Sequence, residues 1–383
     1  MLMPAQQIYG LHSDSIDLSV CHSKPYESCD TRCAAGCERI LMDNPADSVA
    51  YYKLAVRALN SPGGPFMPEV DTNLRMCSYV GNDESAICEI LYAAVTAYPD
   101  QFSIKSRPAN HESALAWAEQ AGERNYAEAK WVLATFLALG KGAEYPDLKR
   151  AYKLMDSTSD VRPEREFALL YAVLLDHGWG GTQNVLEADY YSKVGYAWYK
   201  NIARRSVSRL DNVFLAMIVR FGYIMGDARI IHETAWDLSV SRLLPESVEY
   251  TPDELEDLLD SDDDHSEIIT RFFGKELLAA ALGSEDAEMK AKEIEEIIRK
   301  YDGGDIIVAA KEYAEENEAK IKETRHNILK LSLTDRKSSA SARRKSPGRH
   351  TGKKQQGFVR SFFNTTANGF RRAGDAVKSV FSD

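Results

Sequence analysis

The chain has 383 residues, of which 44% are hydrophobic and 10% aromatic, so it carries enough apolar side chain to bury a sizeable core. It contains no run of about 18 uncharged apolar residues, and residues 1–7 lack the basic start and apolar stretch of a secretory signal. These features argue against a transmembrane or secreted protein. They predict a cytoplasmic protein that at most associates peripherally with a membrane.

The net charge of −11 is unevenly distributed along the chain. From Arg336 to the end, twelve Lys and Arg oppose Asp375 and Asp383, so this tail carries +10 and residues 1–335 carry −21. An acidic body with a basic tail predicts an arm that contacts an anionic surface, a nucleic acid or the body itself. A solvated, disordered extension is the alternative, and the composition leaves both open.

Shifts in composition and periodicity divide the chain into six predicted regions. They are an N-terminal, cysteine-containing and partly helical region (1–83), a helical-repeat solenoid (84–245), an acidic linker (246–267), a C-terminal helical region (268–334), a disordered basic linker (335–356) and an amphipathic helix (357–383).

Four of the six cysteines, Cys21, Cys29, Cys33 and Cys37, crowd the N-terminal region. The absence of a secretory signal predicts a reducing compartment in which all six remain thiols. The last three of these four lie four residues apart, so they share one helical face and, with Cys21 and His22 nearby, could bind zinc. Because a second well-spaced pair of ligands is lacking, buried or oxidation-sensitive thiols are the favoured interpretation. No metal and no cofactor is predicted.

The most informative pattern is a repeat in the middle of the chain. Ala114, Ala151 and Ala188 stand thirty-seven residues apart and each begins a similar phrase, while paired glycines recur as Gly140-Lys-Gly142 and Gly178-Trp-Gly180. Each unit is therefore predicted to hold one helix about the alanine and another ending at the glycines, which enter the left-handed conformation without strain. One such unit cannot bury its apolar face alone, so the units must stack.

These residues resemble the Sel-one-like repeats, relatives of the tetratricopeptide repeats, and the resemblance is best over residues 112–200. One unit matches at Ala129, Leu133, Ala134, Leu137, Gly140, Gly142, Asp147 and Ala151, and the next, more loosely, at Phe167, Tyr171, Ala172, Leu175, Gly178, Gly180 and Ala188. Alanine replaces the first glycine of the family pattern in both units, leucine replaces its tyrosine, and one extra residue precedes Asp147. The resemblance implies an all-α fold, an α-solenoid built from antiparallel helix pairs.

The C-terminal segment is the clearest functional signal outside the repeats. Aromatic and aliphatic residues recur there near helical spacing with cations between them, namely Phe358, Phe362, Phe363, Phe370, Val377 and Phe381 with Arg360, Arg371, Arg372 and Lys378. Such a helix can lie in the interface of an anionic membrane, dock into a partner's groove, or cap the end of the solenoid. All three interpretations stay open.

Catalysis finds little support, because the phosphate-binding, nucleophile-elbow and zinc-protease motifs are all missing from the sequence. Members of the resembling family commonly act as adaptors or scaffolds, including in bacterial signalling and virulence-associated assemblies. We therefore expect a non-enzymatic scaffold that holds protein partners along its concave surface, without sequence-specific binding of nucleic acid. The aromatic residues expected to contact a partner are Trp117, Trp131, Trp179, Trp198 and Tyr199. The alternative is a secreted bacterial effector or virulence-associated factor whose tail is a localisation signal.

Overall fold

The computed structural model describes residues 19–22, 29–61, 64–124, 126–158, 161–202, 209–235, 252–260 and 265–334. This part of the chain is helical and contains no strand, as the resemblance implies. Its α-helices are α1 (Ser19–His22), α2 (Thr31–Asp43), α3 (Ser48–Leu59), α4 (Met67–Val80), α5 (Ala86–Ala97), α6 (His111–Gly122), α7 (Ala127–Leu139), α8 (Leu148–Asp156), α9 (Arg165–His177), α10 (Val185–Ile202), α11 (Arg209–Met225), α12 (Ala228–Glu233), α13 (Pro252–Leu259), α14 (Ser266–Ala281), α15 (Glu285–Lys300) and α16 (Gly304–Thr334). Short 3-10 helices occupy Asp83–Ser85 and Pro99–Phe102.

The thirty-seven-residue period is visible at the N-termini of α6, α8 and α10, the three helices that contain the repeated alanines and are here called the alanine helices. Asn110, Asp147 and Asn184 stand at that spacing, and the side chain of each accepts a hydrogen bond from the backbone N–H three residues later, at 2.9, 2.9 and 3.2 Å. Such a cap satisfies one of the N–H groups that have no partner in the first helical turn. The three repeated alanines are buried in the helices that follow.

Helices α7 and α9, here called the glycine helices, end in the same way. The glycine that follows each of them, Gly140 or Gly178, has φ of 65°. In each case the residue after the glycine donates its N–H to a carbonyl five residues earlier, from Lys141 to Phe136 at 3.0 Å and from Trp179 to Leu174 at 3.0 Å. This pairing satisfies a carbonyl left open by the helix end. Gly226, with φ of 70°, ends α11 in the same way.

The second glycine of each pair is required by packing between helices. Gly142 lies against the backbone carbonyl of His111, the first residue of α6, and Gly180 lies against that of Leu148, the first residue of α8. A Cβ at either glycine would overlap the carbonyl oxygen. The loop after each glycine helix therefore fits directly onto the start of the preceding alanine helix.

Consecutive helices pack in pairs, α3 with α4, α5 with α6, α7 with α8 and α9 with α10, which is the arrangement of an α-solenoid. Helices α5, α7 and α9 form one face, here called the inner face, and α11 lies against all three. The apolar stripe of α11 is buried there, with the ring of Phe214 5.8 Å from Phe167 and the ring of Phe221 6.3 Å from Trp179. One apolar core thus runs from Tyr51 to Ile230, across the predicted boundary at residue 83.

The remaining helices build on both ends of this core. Helices α14, α15 and α16 pack together around a second apolar cluster, and α16 also contacts α11. At the other end, α1, α2 and α3 enclose a small cluster that contains four cysteines. The predicted basic linker 335–356 and amphipathic helix 357–383 lie outside the described residues, as do residues 246–251 and 261–264 of the predicted acidic linker.

The close approach at Gly180 gives a test of the repeat. Gly180→Ala should lower the free energy of unfolding by about 1–2 kcal/mol for its positive φ and by roughly 1–3 kcal/mol more for the overlap with Leu148. Gly283→Ala is the matched control, because Gly283 also has positive φ but open space around its Cβ position. Urea unfolding followed by circular dichroism measures both. Equal losses at the two sites would contradict the packing role of Gly180.

Candidate functional site

The aromatic residues expected to contact a partner mostly belong to the core. Trp131, Trp179 and Tyr199 are buried, while Trp117 and Trp198 are half-buried and pack against the core. The indole Nε1 of Trp131 donates to Thr158 Oγ1 at 2.9 Å, and both groups are buried. Burial of three of the five side chains disagrees with the expectation of partner contact, because each fills space between helices.

Within the described part of the chain, α11 covers the inner face, and the side chains of α5, α7 and α9 there belong to one buried core. Periodicity predicted that α11 is helical and apolar on one side, but not which surface receives that side. A partner along the inner face would have to displace the buried stripe of α11. Exposed apolar residues on the opposite side of the helix pairs are therefore the better candidates for contact.

An exposed apolar strip lies at the start of α10. Leu186 is 88% exposed and Tyr190 is 47% exposed, and Val161 and Val185 are exposed as well. The guanidinium of Arg162 lies over the Tyr190 ring, 5.5 Å from its centroid. We call Val161, Val185, Leu186 and Tyr190 the outer strip. The sequence signal was the spacing of Leu186 and Tyr190, which are four residues apart and face away from the buried Ala188.

A partly buried group of charges lies where α7, α9 and α11 meet. The Arg165 guanidinium is 2.7 Å from an Asp211 carboxylate oxygen, 3.4 Å from Glu166 and 3.6 Å from Glu128. Arg165 has φ of 55°, a conformation that costs a residue with a side chain about 1–2 kcal/mol. Burial raises the pKa of Glu166 to about 8, and its Oε2 has no hydrogen-bond partner. Arg165 thus lies within 4 Å of three carboxylates, of which only Glu166 is fully buried.

A second group joins the end of α9 to the start of α12. His177 Nε2 lies 3.2 Å from Asp227 Oδ2 and 4.0 Å from Asp176 Oδ2, and these three side chains could hold a metal ion. Asp227 Oδ1 also accepts the Ile230 N–H at 2.8 Å and caps α12, while the His177 ring stacks on Trp179. These contacts explain the arrangement as a hydrogen-bonded group that positions two helices.

The prediction that the cysteines remain thiols is wrong, because all six are paired. Disulfides join Cys21 to Cys37, Cys29 to Cys33 and Cys77 to Cys88. The pairing depends on the packing of α1 on α2 and of α4 on α5, which spacing along the chain does not reveal. Disulfides persist in oxidising environments, so they oppose the reducing compartment expected from the sequence.

The predicted contact residues of the tail, from Phe358 to Phe381, lie outside the described residues. Within the part of the chain that the structure describes, no helix is both long and apolar enough to cross a bilayer. The membrane interpretation therefore rests on the tail sequence.

The raised pKa of the buried Glu166 carboxyl predicts that the free energy of unfolding depends on pH. Between pH 4.5, the ordinary value, and about 8, the unfolded chain has lost this proton while the folded chain still holds it. Stability should therefore fall as pH rises through this window, by at most about 1.4 kcal/mol per pH unit from this group. Glu166→Gln should make the slope shallower in urea unfolding from pH 5 to 8.

Glu119→Gln is the control for this experiment, because Glu119 pairs with Arg150 at the surface. Its slope should match that of the wild type. If Glu166→Gln has the same slope of unfolding free energy against pH as the wild type, the Glu166 carboxyl is ionised from pH 5 to 8 beside Arg165, Asp211 and Glu128. That result would contradict the prediction.

Comparison with known proteins adds no family assignment to this geometry. No family model matches the chain, and no curated protein matches it. The fold class rests on the packing of the helix pairs, and the function has to be argued from the surface that they leave exposed.

Proposed function

We propose that this protein is a non-enzymatic interaction scaffold whose helix pairs hold a protein partner on the outer strip. The observation that carries the proposal is the exposure of Leu186 and Tyr190, one turn apart on α10, while the apolar stripe of α11 occupies the inner face. Side chains of this kind supply a large share of the binding energy at protein interfaces. The partner's site is thus on the outside of the repeat.

The energy available on the outer strip is sufficient for a specific contact. Full burial of an exposed leucine or similar side chain contributes about 1.5–3 kcal/mol. The Tyr190 ring adds apolar area with little loss of conformational freedom, and Arg162 already lies over one of its faces. A partner that presents an apolar helix face or shallow pocket fits this surface.

Charge favours a partner with a basic rim. Residues 1–335 carry −21, and complementary charge increases association rates and makes them sensitive to salt. Beside the strip, Asp189 pairs with Lys193 at 2.7 Å and lies 3.9 Å from Arg229, so its carboxylate is already partly neutralised. A basic rim on the partner would therefore be attracted by the summed negative charge of residues 1–335 more than by one new ion pair.

Leu186→Glu should weaken partner binding by about 10- to 100-fold, because it replaces about 1.5–3 kcal/mol of apolar burial with a charge. A photo-crosslinking residue is placed at position 186 of the full chain, and this chain is expressed in the cells from which the protein comes. Irradiation should give a crosslinked product of one defined mass. The protein identified in that product should then co-purify with the wild-type chain and should not co-purify with Leu186→Glu.

Met289 provides the matched control, since it is 65% exposed on α15, away from the repeat pairs. Crosslinking at position 289 should not yield the same product, and Met289→Glu should bind like the wild type. Equal capture at both positions, or unchanged affinity of Leu186→Glu, would reject the outer strip as the binding surface.

The disulfides favour a second candidate, a secreted factor whose tail determines its location. Three disulfide pairs in one chain suit folding in an oxidising compartment. In this proposal the basic, phenylalanine-bearing tail directs the protein to an anionic membrane, and the helix pairs engage the target.

Deletion of residues 336–383 tests the tail directly. It should abolish sedimentation with vesicles that contain anionic lipid, and the loss should resemble the effect of raising salt on the full chain, because ions screen such contacts. Vesicles of neutral lipid are the control. Unchanged sedimentation and localisation of the truncated chain would rule out the tail as a membrane anchor.

A further inference from the structure

We propose that the four N-terminal cysteines, Cys21, Cys29, Cys33 and Cys37, form a zinc site when their two disulfides are reduced. The site is independent of the outer strip and of any protein partner. Its ligands would be four thiolates, the donor set of closed structural zinc sites. We call these four residues the sulfur cluster.

The positions of the sulfur atoms carry the proposal. The Sγ atoms of Cys29, Cys33 and Cys37 all lie within 4.8 Å of one another. Cys37 is bonded to Cys21, so the fourth sulfur lies directly beside this group, although outside the 4.8 Å that the other three share. The Sγ atoms of Cys33 and Cys37 belong to different disulfides and are 4.0 Å apart. Tetrahedral zinc with Zn–S bonds of about 2.3 Å spaces its sulfurs about 3.8 Å apart. Three sulfurs are thus already near this spacing, and rotation of the Cys21 side chain, once its disulfide to Cys37 is broken, would complete the site.

The fold supplies this arrangement from two helices. Cys33 and Cys37 lie one turn apart on α2, Cys29 comes just before the capping residue Asp30, and Cys21 arrives from α1, which packs on α2. Sequence spacing shows three ligands on one face but cannot show the fourth. Packing of α1 on α2 therefore brings Cys21, which the sequence shows only as nearby, beside the ligands at α2.

The surroundings suit a closed site with a net negative charge. All four cysteines are buried, and Ala34, Ala50 and Leu54 pack around them. Cys29 and Cys33 lie at the N-terminal end of α2, where the helix dipole stabilises thiolates. His22 is not a ligand here, because it is exposed and its Nε2 pairs with Asp47 at 3.1 Å.

The exchange between the two states balances with named reactants. Two molecules of a dithiol reductant each reduce one disulfide and become disulfides themselves, leaving four cysteine thiols. Zinc then binds four thiolates as their protons leave, giving a complex of charge −2. In the reverse direction two molecules of hydrogen peroxide oxidise the four thiolates to two disulfides, forming four hydroxide ions and releasing Zn²⁺.

The third disulfide is an internal control. Cys77 and Cys88 join α4 to α5, and both sulfurs lie near the Ser48 carbonyl oxygen, at 3.3 and 3.8 Å. Among the described residues they belong to no group of three metal-binding side chains. Two sulfurs alone do not make a structural zinc site, so reduction of this pair should not create one.

The test uses the full chain, reduced with a phosphine under argon and titrated with Co²⁺ alone. We expect the thiolate-to-cobalt charge-transfer band and the visible bands of tetrahedral cobalt, saturating at one ion per chain and displaced by Zn²⁺. Cys37→Ser should weaken cobalt binding at least about tenfold. The Cys77→Ser/Cys88→Ser variant should bind like the wild type, and the oxidised wild type should show no tetrahedral bands.

The wild type alone keeps the proposal testable even where a variant fails to fold. Peroxide added to the zinc-loaded chain should release the metal as four thiols per zinc become resistant to alkylation. A reduced wild type that gives no tetrahedral cobalt bands would overturn the proposal, whether or not its helical circular dichroism survives reduction. Loss of the bands in the Cys77→Ser/Cys88→Ser variant would equally overturn it, because the metal would then lie elsewhere.

Discussion

Burial of the apolar stripe of α11 is the interaction on which the rest of the structure depends. The rings of Phe214 and Phe221 approach Phe167 and Trp179, so α11 joins α9 to α5 and α7 across the inner face. This contact completes the core of the helix pairs and gives α16 a surface to pack on. It also occupies the inner face, so a partner of the proposed kind would have to bind elsewhere on the helix pairs.

The same layer explains where charge enters the interior. Asp211 lies near the start of α11 and meets Arg165 at the start of α9, together with Glu128 and Glu166. Glu166 is the fully buried member of this group, and burial raises its pKa, with the nearby Asp211 carboxylate acting in the same direction. The backbone strain at Arg165 is the cost of directing its side chain into this group. Docking of α11 is therefore coupled to the protonation of an interior carboxyl.

The N-terminal end uses a different form of stabilisation. Helices α1 to α3 enclose a cluster that is small compared with the central core, and two disulfides cross-link it. A small core gains comparatively little from hydrophobic burial, so covalent or metal cross-links contribute a larger share of its stability. Either two disulfides or one zinc ion can provide this link, and the redox state of the surroundings selects between them.

The sequence by itself determined the elements that depend on local chemistry. Glycine at a helix end, an oxygen-bearing side chain at a helix start and apolar residues at helical intervals each act within a few residues, and Gly140, Gly178 and Ala151 fulfil the roles predicted for them. The structure alone decided which surfaces meet. Trp131 and Trp179 are buried, Leu186 is exposed, and Cys21 reaches Cys37, because these outcomes depend on contacts between separate helices that periodicity along one helix does not encode.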